Sequence, residues 1–241
     1  MKRIFSFIIL ALFAVVFVTA QAQNDFCVWT KGGNLTVLQF VDSLTFEEKP
    51  ADVIINGHKF VDLGLPSGLL WAECNVGASS PSEAGDYFAW GETMTKETYS
   101  WDTYKWERIN HNAELSKYNR TDGKKILDSE DDAATANWGT GCRMPSGDDF
   151  MELANECEWI QQANDQRHEG YLVKGPNGNS IFLPYAGYKP SGASCSISYW
   201  SSSTSANLTN LTKAFGVGVS NYYTGDAFRY IGLLIRPVAT K

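Results

Sequence analysis

Histidine is scarce in this sequence, with three residues among 241. Nucleophilic catalysis by serine or cysteine needs a base, usually histidine, that a third group holds in place. His58 follows a predicted hairpin turn, and His111 and His168 lie in polar stretches, so we expect all three on the surface. A GxSxG elbow, an HExxH motif, a phosphate-binding loop and a complete GxGxxG are also missing. The sequence therefore predicts neither an enzyme nor a bound cofactor.

The cysteines are few and scattered, with no CxxC pair, which argues against a zinc site or a redox motif. Their number is odd, so one of them stays unpaired or pairs with another chain even in an oxidising compartment. The spacing leaves the disulfide pairing open. The five are Cys27, Cys74, Cys142, Cys157 and Cys195.

Long apolar runs are missing beyond residue 22, where nothing approaches the roughly 20 apolar residues that a spanning helix needs. We therefore expect no membrane span. At the start of the chain, Lys2 and Arg3 precede an apolar run, and Ala20 and Ala22 form the small-x-small pattern of a signal-peptidase site. Residues 1–22 are predicted to be a removable signal peptide. We expect the mature protein in the periplasm, at the cell surface or outside the cell.

Clusters of basic residues are missing as well. The chain has 20 Lys and Arg against 27 Asp and Glu, a net charge of -7. Loss of residues 1–22 removes Lys2 and Arg3 and no acid, which leaves 18 basic groups against 27 acidic groups and a net charge of -9. Such a surface repels phosphate backbones and anionic lipid headgroups. Nucleic acid is therefore not an expected partner.

Turn and linker signals divide the rest of the chain into two parts. β-Favouring segments at Val28–Thr30 and Leu35–Phe40 flank a Lys-Gly-Gly-Asn sequence, which predicts a small β-hairpin. The charged, proline-containing stretch at 47–52 is typical of a solvated linker. We expect an N-terminal hairpin segment with its linker over residues 23–50 and one main domain over residues 51–241.

Short strands dominate the main domain. Asn56 and Gly57 lie between two of them and indicate a type I′ turn, in which both central residues need positive φ. A second hairpin is predicted across the turn at 175–179. The predicted strands are Val53–Ile55, Lys59–Val61, Leu69–Cys74, Tyr171–Lys174, Ser180–Leu183, Tyr199–Ser202, Ala214–Val219 and Tyr230–Arg236.

Two helices complete the pattern. Ser146 is a natural N-cap with Asp149 three residues later, and a buried stripe at helical spacing follows. A shorter helix is predicted from Asp132 to a stop at Gly139. Few helices and many short strands predict an α+β fold. The stripe, which we expect in the core, consists of Phe150, Leu153, Ala154 and Cys157.

The order of these segments resembles the Fibrobacter succinogenes major paralogous domain, a family of exported bacterial modules. The resemblance covers residues 53 to 238, and the segment before residue 50 is similar to a hairpin that often precedes such domains. The matching stretches are NGHKFVDLGLPSGLLWAECNVGA (56–78), GDYFAWGET (85–93), EDDAATANWG (130–139), CRMPSGDDFMEL (142–153), GPNGNSIFLPYAGY (175–188), YWSSS (199–203) and RYIGLLIRPV (229–238).

A more distant resemblance concerns formylglycine-generating and related C-type lectin-like folds. It is carried by residues 131–153 and by Arg229 and Arg236, which are similar to arginines of the closing strands. The resemblance implies a C-type lectin-like architecture, with short helices packed on twisted antiparallel sheets. The copper-dependent cysteine pair of the formylglycine-generating enzymes does not carry over, because no cysteine follows Cys195.

An acidic run gives weak candidates for calcium, a hard cation that binds six to eight oxygen atoms. The candidates are Asp128, Glu130 and Asp132, beside Asp131. Read as an EF-hand loop from Asp128, the sequence has alanine and glycine where glycine and glutamate are required. The alternative is that these acids cap a helix N-terminus and interact with its dipole. The sugar-binding triplets of true C-type lectins are absent, so calcium-dependent sugar binding is not expected.

Aromatic residues concentrate between Tyr87 and Trp106, where seven of 20 residues carry large rings. One interpretation is that these rings cover the core beneath an irregular segment. The other is that some stay exposed, since several alternate with polar residues, and stack on a sugar or hold a partner protein. The candidate ligand-binding residues are Trp101, Tyr104, Trp106, Trp90 and Glu92.

Together these features favour an exported, non-enzymatic binding or cell-surface interaction module with a carbohydrate or a protein as its partner. Two alternatives stay open. One is an enzyme on a formylglycine-generating-like scaffold, which would need a cleft with a nucleophile and a base. The other is a structural component of a surface assembly.

Overall fold

The structure of the protein is a computed structural model. It describes residues 6–11, 14–21, 25–29, 35–39, 52–106, 108–109, 114–163, 169–191, 197–205, 210–217 and 222–241. The chain forms two compact units, Met1–Ala51 and Asp52–Lys241. His111, His168 and Cys195 lie outside the described residues, as do Thr30, Phe40 and most of the linker at 47–52.

The first unit contains one antiparallel sheet with its strands in sequence order. Trp29 pairs with Leu35 across the turn of the predicted N-terminal hairpin. The first two strands fall within the segment assigned to the signal peptide, whose removal stays a prediction. The strands are β1 (Ser6–Ala11), β2 (Ala14–Gln21), β3 (Asp25–Trp29) and β4 (Leu35–Gln39).

The second unit contains thirteen described strands and two short α-helices, in agreement with an α+β fold of mostly β-structure. The helices are α1 (Ala133–Trp138) and α2 (Gly147–Glu156). The strands are β5 (Val53–Ile55), β6 (His58–Asp62), β7 (Leu70–Ala72), β8 (Arg108–Ile109), β9 (Glu114–Leu115), β10 (Cys142–Arg143), β11 (Glu158–Ala163), β12 (Glu169–Lys174), β13 (Ser180–Pro184), β14 (Ile197–Thr204), β15 (Leu211–Val217), β16 (Tyr222–Phe228) and β17 (Val238–Ala239).

Both hairpins predicted for this unit are confirmed. Asn56 and Gly57 join β5 to β6 with φ values of 50° and 83°, as a type I′ turn requires. Lys174 pairs with Ser180 at the second hairpin. The described strands assemble into sheets of order β10-β17-β7-β6-β5, β11-β12-β13, β14-β15-β16 and β8-β9.

The prediction of a strand at Tyr230–Arg236 is wrong. This segment does not pair with one neighbouring strand. It makes isolated bridges to three separate segments: Gly232 to Lys189, Leu233 to Phe88 and Leu234 to Tyr199. Because hydrogen bonds shared among three partners form no continuous ladder, the segment links several parts of the unit instead of extending one sheet.

The two predicted helices are present. The Ser146 hydroxyl accepts a hydrogen bond from the Asp149 amide, and the Asp149 carboxylate accepts one from the Ser146 amide, which completes a capping box. Asp132 caps α1, which ends at Gly139. Cys157 falls one residue beyond α2 and is half-buried against the second core cluster, so the buried position expected for it is only partly reached.

Two hydrophobic clusters form the core of the second unit. One surrounds Trp90 and Trp200, and the other surrounds Trp71 and Phe150. Alternate residues of a strand face opposite sides of its sheet, and β15 accordingly packs Phe215 on Phe150 in the second cluster and places Ala214 against the first. Among the described residues, no helix is long and apolar enough to cross a membrane.

Two buried arginines connect distant segments of this core. Arg229 donates to the carbonyl oxygen of Tyr118 at 2.9 Å, with its guanidinium 4.6 Å from the centroid of the Trp90 ring. Arg236 donates to the carbonyl oxygens of Ala72 at 3.1 Å and Phe182 at 2.8 Å. A buried charge is costly unless it is hydrogen-bonded. Main-chain carbonyls accept hydrogen bonds from both guanidinium groups, although the buried Nε of Arg236 has no hydrogen-bond partner among the described residues.

Candidate ligand-binding face

Three of the aromatic candidates belong to the core. Trp90, Tyr104 and Trp106 are all buried. The Trp90 indole donates to the carbonyl oxygen of Ser201 at 2.8 Å, and the Tyr104 hydroxyl donates to the carbonyl oxygen of Trp90 at 2.8 Å. Buried rings whose polar atoms are already hydrogen-bonded are core residues. The structure therefore favours the interpretation in which these rings cover the core, and the exposure considered for Tyr104 and Trp106 is wrong.

Glu92 is buried and fixes the neighbouring segment. Its carboxylate accepts a hydrogen bond from the Lys105 amide at 2.7 Å and pairs with the Lys96 ammonium at 2.7 Å. That ammonium also donates to the carbonyl oxygen of Thr103 at 2.9 Å. Glu92 thus holds both ends of the segment that carries Trp101, and its carboxylate does not face solvent as a free ligand-binding group.

Trp101 is the aromatic candidate that stays partly exposed. It begins a short 3-10 turn and lies against two rings from the far end of the chain. Its ring centroid is 6.2 Å from that of Phe228 and 4.9 Å from that of Tyr230. The Phe228 and Tyr230 rings stack 5.7 Å apart, and Phe228 is 45% exposed. We refer to Trp101, Phe228 and Tyr230 as the aromatic face.

A cavity of about 130 Å³ is lined by Ala227 and Ile231, the chain neighbours of Phe228 and Tyr230, but by none of the three rings of the aromatic face. Residues of β14, β15 and β16, including Phe215 and Asp226, form much of its lining. Ser198 pairs with Gly216 and Ala214 pairs with Gly225, and these four residues all line the cavity. The other lining residues include Tyr188 and Leu233.

Acidic groups border this region. Asp102, next to Trp101, is exposed, and so is Asp226 in β16. The Asp226 carboxylate pairs with the Lys213 ammonium at 2.8 Å. Exposed carboxylate oxygens accept hydrogen bonds from hydroxyl groups and repel anions. Lys213 offsets the charge of Asp226, so the preference for a neutral, hydroxyl-bearing ligand over an acidic one rests on Asp102.

A larger cavity of about 460 Å³ lies beside the turn of the β12-β13 hairpin. It is lined by the turn residues 175–178 and by the charged residues Glu156, Glu158 and Lys174. These charged side chains are all exposed. Binding sites are usually concave surfaces with apolar and aromatic walls, so this groove is a weaker candidate than the aromatic face.

The calcium candidates form a group that a lysine already occupies. Asp128, Glu130 and Asp131 lie together, and the Lys117 ammonium is 3.0, 2.9 and 2.5 Å from their respective carboxylates. Hydrogen bonds from Lys124 and Lys117 lower the pKa of Asp128 to about 2. An ammonium in this position supplies the positive charge that a metal ion would bring.

Asp132 does not belong to this acidic group. Its carboxylate caps α1 by accepting a hydrogen bond from the amide of Thr135 at 3.0 Å, and it also accepts one from the amide of Met144, after β10, at 2.8 Å. Of the two interpretations of the acidic run, the helix cap is therefore the one that applies to Asp132.

The described histidine and thiols do not form a catalytic group. His58 is half-buried, contrary to the surface position expected, and its ring is stacked on Trp138. Cys74, Cys142 and Cys157 are free thiols, and burial raises the pKa of each. Raised thiol pKa values lower the fraction of reactive thiolate.

Comparison of the chain with known proteins found no match among protein-family models, curated proteins or solved structures. The family resemblances drawn from the sequence therefore stay predictions.

Proposed function

We propose that this protein is an exported, non-enzymatic module that binds a neutral glycan through the aromatic face. The observation that carries the proposal is the exposure of Phe228 in a cluster with Trp101 and Tyr230, beside a cavity. When a ligand covers an exposed apolar ring, apolar surface is removed from water, which favours binding. A sugar ring has one apolar side that can cover it and hydroxyl groups that remain hydrogen-bonded at its edge.

The size of the apolar surface favours a small ligand over a protein. Stable protein interfaces bury about 800 Å² on each partner and have an apolar centre. Among the described residues, the exposed large apolar side chains are dispersed, and only two border this site. Those two are Tyr188 and Phe228. Such a surface matches one or two sugar rings, with Asp102 and Asp226 as hydrogen-bond acceptors at the rim.

The export and the family assignment are part of the same proposal. The predicted signal peptide at residues 1–22 supports export. The helices α1 and α2 with the turn between them, together with the buried Arg229 and Arg236, support a C-type lectin-like architecture of the Fibrobacter succinogenes major paralogous domain type. Such a fold carries many functions, so the function rests on the aromatic face and not on the fold.

The enzyme and the structural component remain the alternatives to this proposal. An enzyme on this scaffold needs a nucleophile beside a base. The raised thiol pKa values and the stacked His58 favour the binding module over that alternative.

A panel of neutral and anionic oligosaccharides tests the proposal. We expect the mature protein to bind neutral members and Phe228→Ala to lose affinity at least about tenfold, or about 1.4 kcal/mol. Ile54→Ala is the matched control, because Ile54 is also an exposed apolar residue, at 57%, but lies on β5. The melting temperatures of both variants should stay near that of the wild type. Equal binding by Phe228→Ala and the wild type, or binding to a protein partner alone, would overturn the proposal.

A further inference from the structure

One buried carboxylate fastens both ends of the loop that carries Trp101. We call this loop, residues 92–105, the strap. Glu92 is buried at its start, and the Oε1 atom of Glu92 accepts a hydrogen bond from the Lys105 amide at its end, 2.7 Å away. The Lys96 ammonium reaches the two oxygen atoms of the same carboxylate at 2.9 and 2.7 Å. The two ends of the strap therefore meet at a single side chain.

Lys96 extends this link to the turn beside Trp101. Its ammonium donates to the carbonyl oxygen of Thr103 at 2.9 Å, and Thr103 ends the 3-10 turn that Trp101 begins. The ammonium also lies 5.6 and 5.7 Å from the centroids of two tyrosine rings of the strap, within the range of a cation–π contact. The side chains of Lys96 and Glu92 are 18% and 11% exposed, so solvent screens their pairing only in part. A polar chain thus runs from Glu92 to the backbone that carries Trp101.

The aromatic face depends on where the strap holds Trp101. Phe228 and Tyr230 come from a different part of the chain, and Trp101 meets them only through ring contacts of 6.2 and 4.9 Å between centroids. A loop that must be ordered when the ligand arrives loses affinity, whereas a loop already held in its binding conformation does not. The contacts of Glu92 and Lys96 supply this order before a ligand binds.

We propose that Glu92 is a positioning residue of the aromatic face, which controls ligand affinity through the strap and Trp101 without touching the ligand. The inference rests on the proposed function and names what controls the affinity of that site. Glu92 is buried and both of its carboxylate oxygens are paired, so its part in binding is indirect.

The test loosens the strap without changing the rings. Glu92→Gln keeps an acceptor for the Lys105 amide but loses the charge that holds the Lys96 ammonium. Lys96→Met breaks the same link from the other side and keeps the apolar stem of the side chain. Glu73→Gln is the matched control, because it breaks another lysine–carboxylate pair, 3.0 Å long, that lies outside the strap. Trp101→Ala removes the positioned ring, and thermal melting shows which variants fold.

The probe is the neutral oligosaccharide that the wild type binds best among the malto-, cello-, xylo- and manno- series, titrated by calorimetry. We expect Glu92→Gln and Lys96→Met each to lose about fivefold in affinity, the scale of ordering one further side chain on binding. Trp101→Ala should lose at least about tenfold. Glu92→Gln combined with Trp101→Ala should bind no more weakly than Trp101→Ala alone, because no ring is left to position. Glu73→Gln should bind like the wild type.

The combined variant separates positioning from a purely structural role, for which the losses of affinity would add. Additive losses, wild-type affinity in folded Glu92→Gln and Lys96→Met, wild-type affinity in Trp101→Ala, or an equal loss in Glu73→Gln each overturn the positioning role. The proposed function then still stands if Phe228→Ala loses affinity. Wild-type protein that binds none of the probes overturns both.

Discussion

The imidazole of His58 lies flat against the indole of Trp138, with ring centroids 3.8 Å apart and ring planes 4° from parallel. The contact joins the start of β6 to the end of α1. Burial lowers the pKa of His58, so the folded protein favours the neutral ring.

This pair predicts a pH dependence of stability. The folded pKa of His58 lies below the unfolded value of about 6.5, so the unfolded state binds the proton more readily. The contribution of His58 to stability is therefore present above that pH and is lost as the pH falls through the folded pKa. His58→Phe keeps a ring on Trp138 and cannot titrate. We expect the unfolding free energy of the wild type, relative to that of His58→Phe, to decrease as the pH is lowered from about 7.5 to about 5. A difference independent of pH would contradict this.

The buried contacts of Asp131 predict that its replacement lowers the stability of the second unit. Its side chain is 4% exposed and meets the Lys105 and Lys117 ammoniums at 2.5 Å and the Tyr118 hydroxyl at 2.7 Å. Asp131→Asn removes the charge from this buried network. Because both lysines are partly solvated, we expect a loss of about 1–3 kcal/mol in the unfolding free energy, measured with urea. Asp102→Asn, at an exposed position, should change it by less than about 0.5 kcal/mol. Equal effects of the two variants would show that the network contributes nothing.

Because the Lys117 ammonium already pairs with this acidic group, we predict that calcium does not change the thermal stability of the protein. The Lys117 ammonium lies within 3.0 Å of the carboxylates of Asp128, Glu130 and Asp131. We expect the same melting temperature in millimolar calcium chloride and in EDTA. A melting temperature that rises with calcium and falls back with EDTA would restore the calcium site considered from the sequence.

The raised pKa of Cys157 predicts slow alkylation of its thiol in the native protein. Burial first, and then the nearby Glu156 and Glu152, raise its pKa to about 11. At pH 8 about one molecule in a thousand then carries the thiolate, far fewer than for a free cysteine with a pKa of about 8.5. Iodoacetamide labelling followed by peptide mapping should modify Cys157 slowly in the native protein and quickly in urea. Native labelling as fast as labelling in urea would contradict the burial.

The local elements could be predicted from the sequence because their signals lie within a few residues. Asn56 with Gly57 predicts a turn, and Ser146 with Asp149 predicts a helix start, and both are present. The aromatic face could not be predicted in this way. Trp101 was a candidate, but Phe228 and Tyr230 reach it from the far end of the chain through tertiary packing.

Burial, likewise, depends on distant partners. Tyr104 and Trp106 alternate with polar residues just as exposed rings would, yet both are buried. Tyr104 hydrogen-bonds to the carbonyl oxygen of Trp90, and Trp106 packs on Tyr118 with ring centroids 5.2 Å apart. The alternation of residues at 101–106 does not reveal these contacts.

Tryptophan fluorescence tests the binding face most directly. Trp101 is partly exposed on that face, whereas Trp71, Trp90 and Trp200 are fully buried. With the neutral oligosaccharide that binds best, we predict a saturable fluorescence change in the wild type. The change should be absent in Trp101→Phe, although calorimetry still detects binding because an aromatic ring remains. A saturable change of the same size in Trp101→Phe would contradict the account, because the ligand would then bind elsewhere.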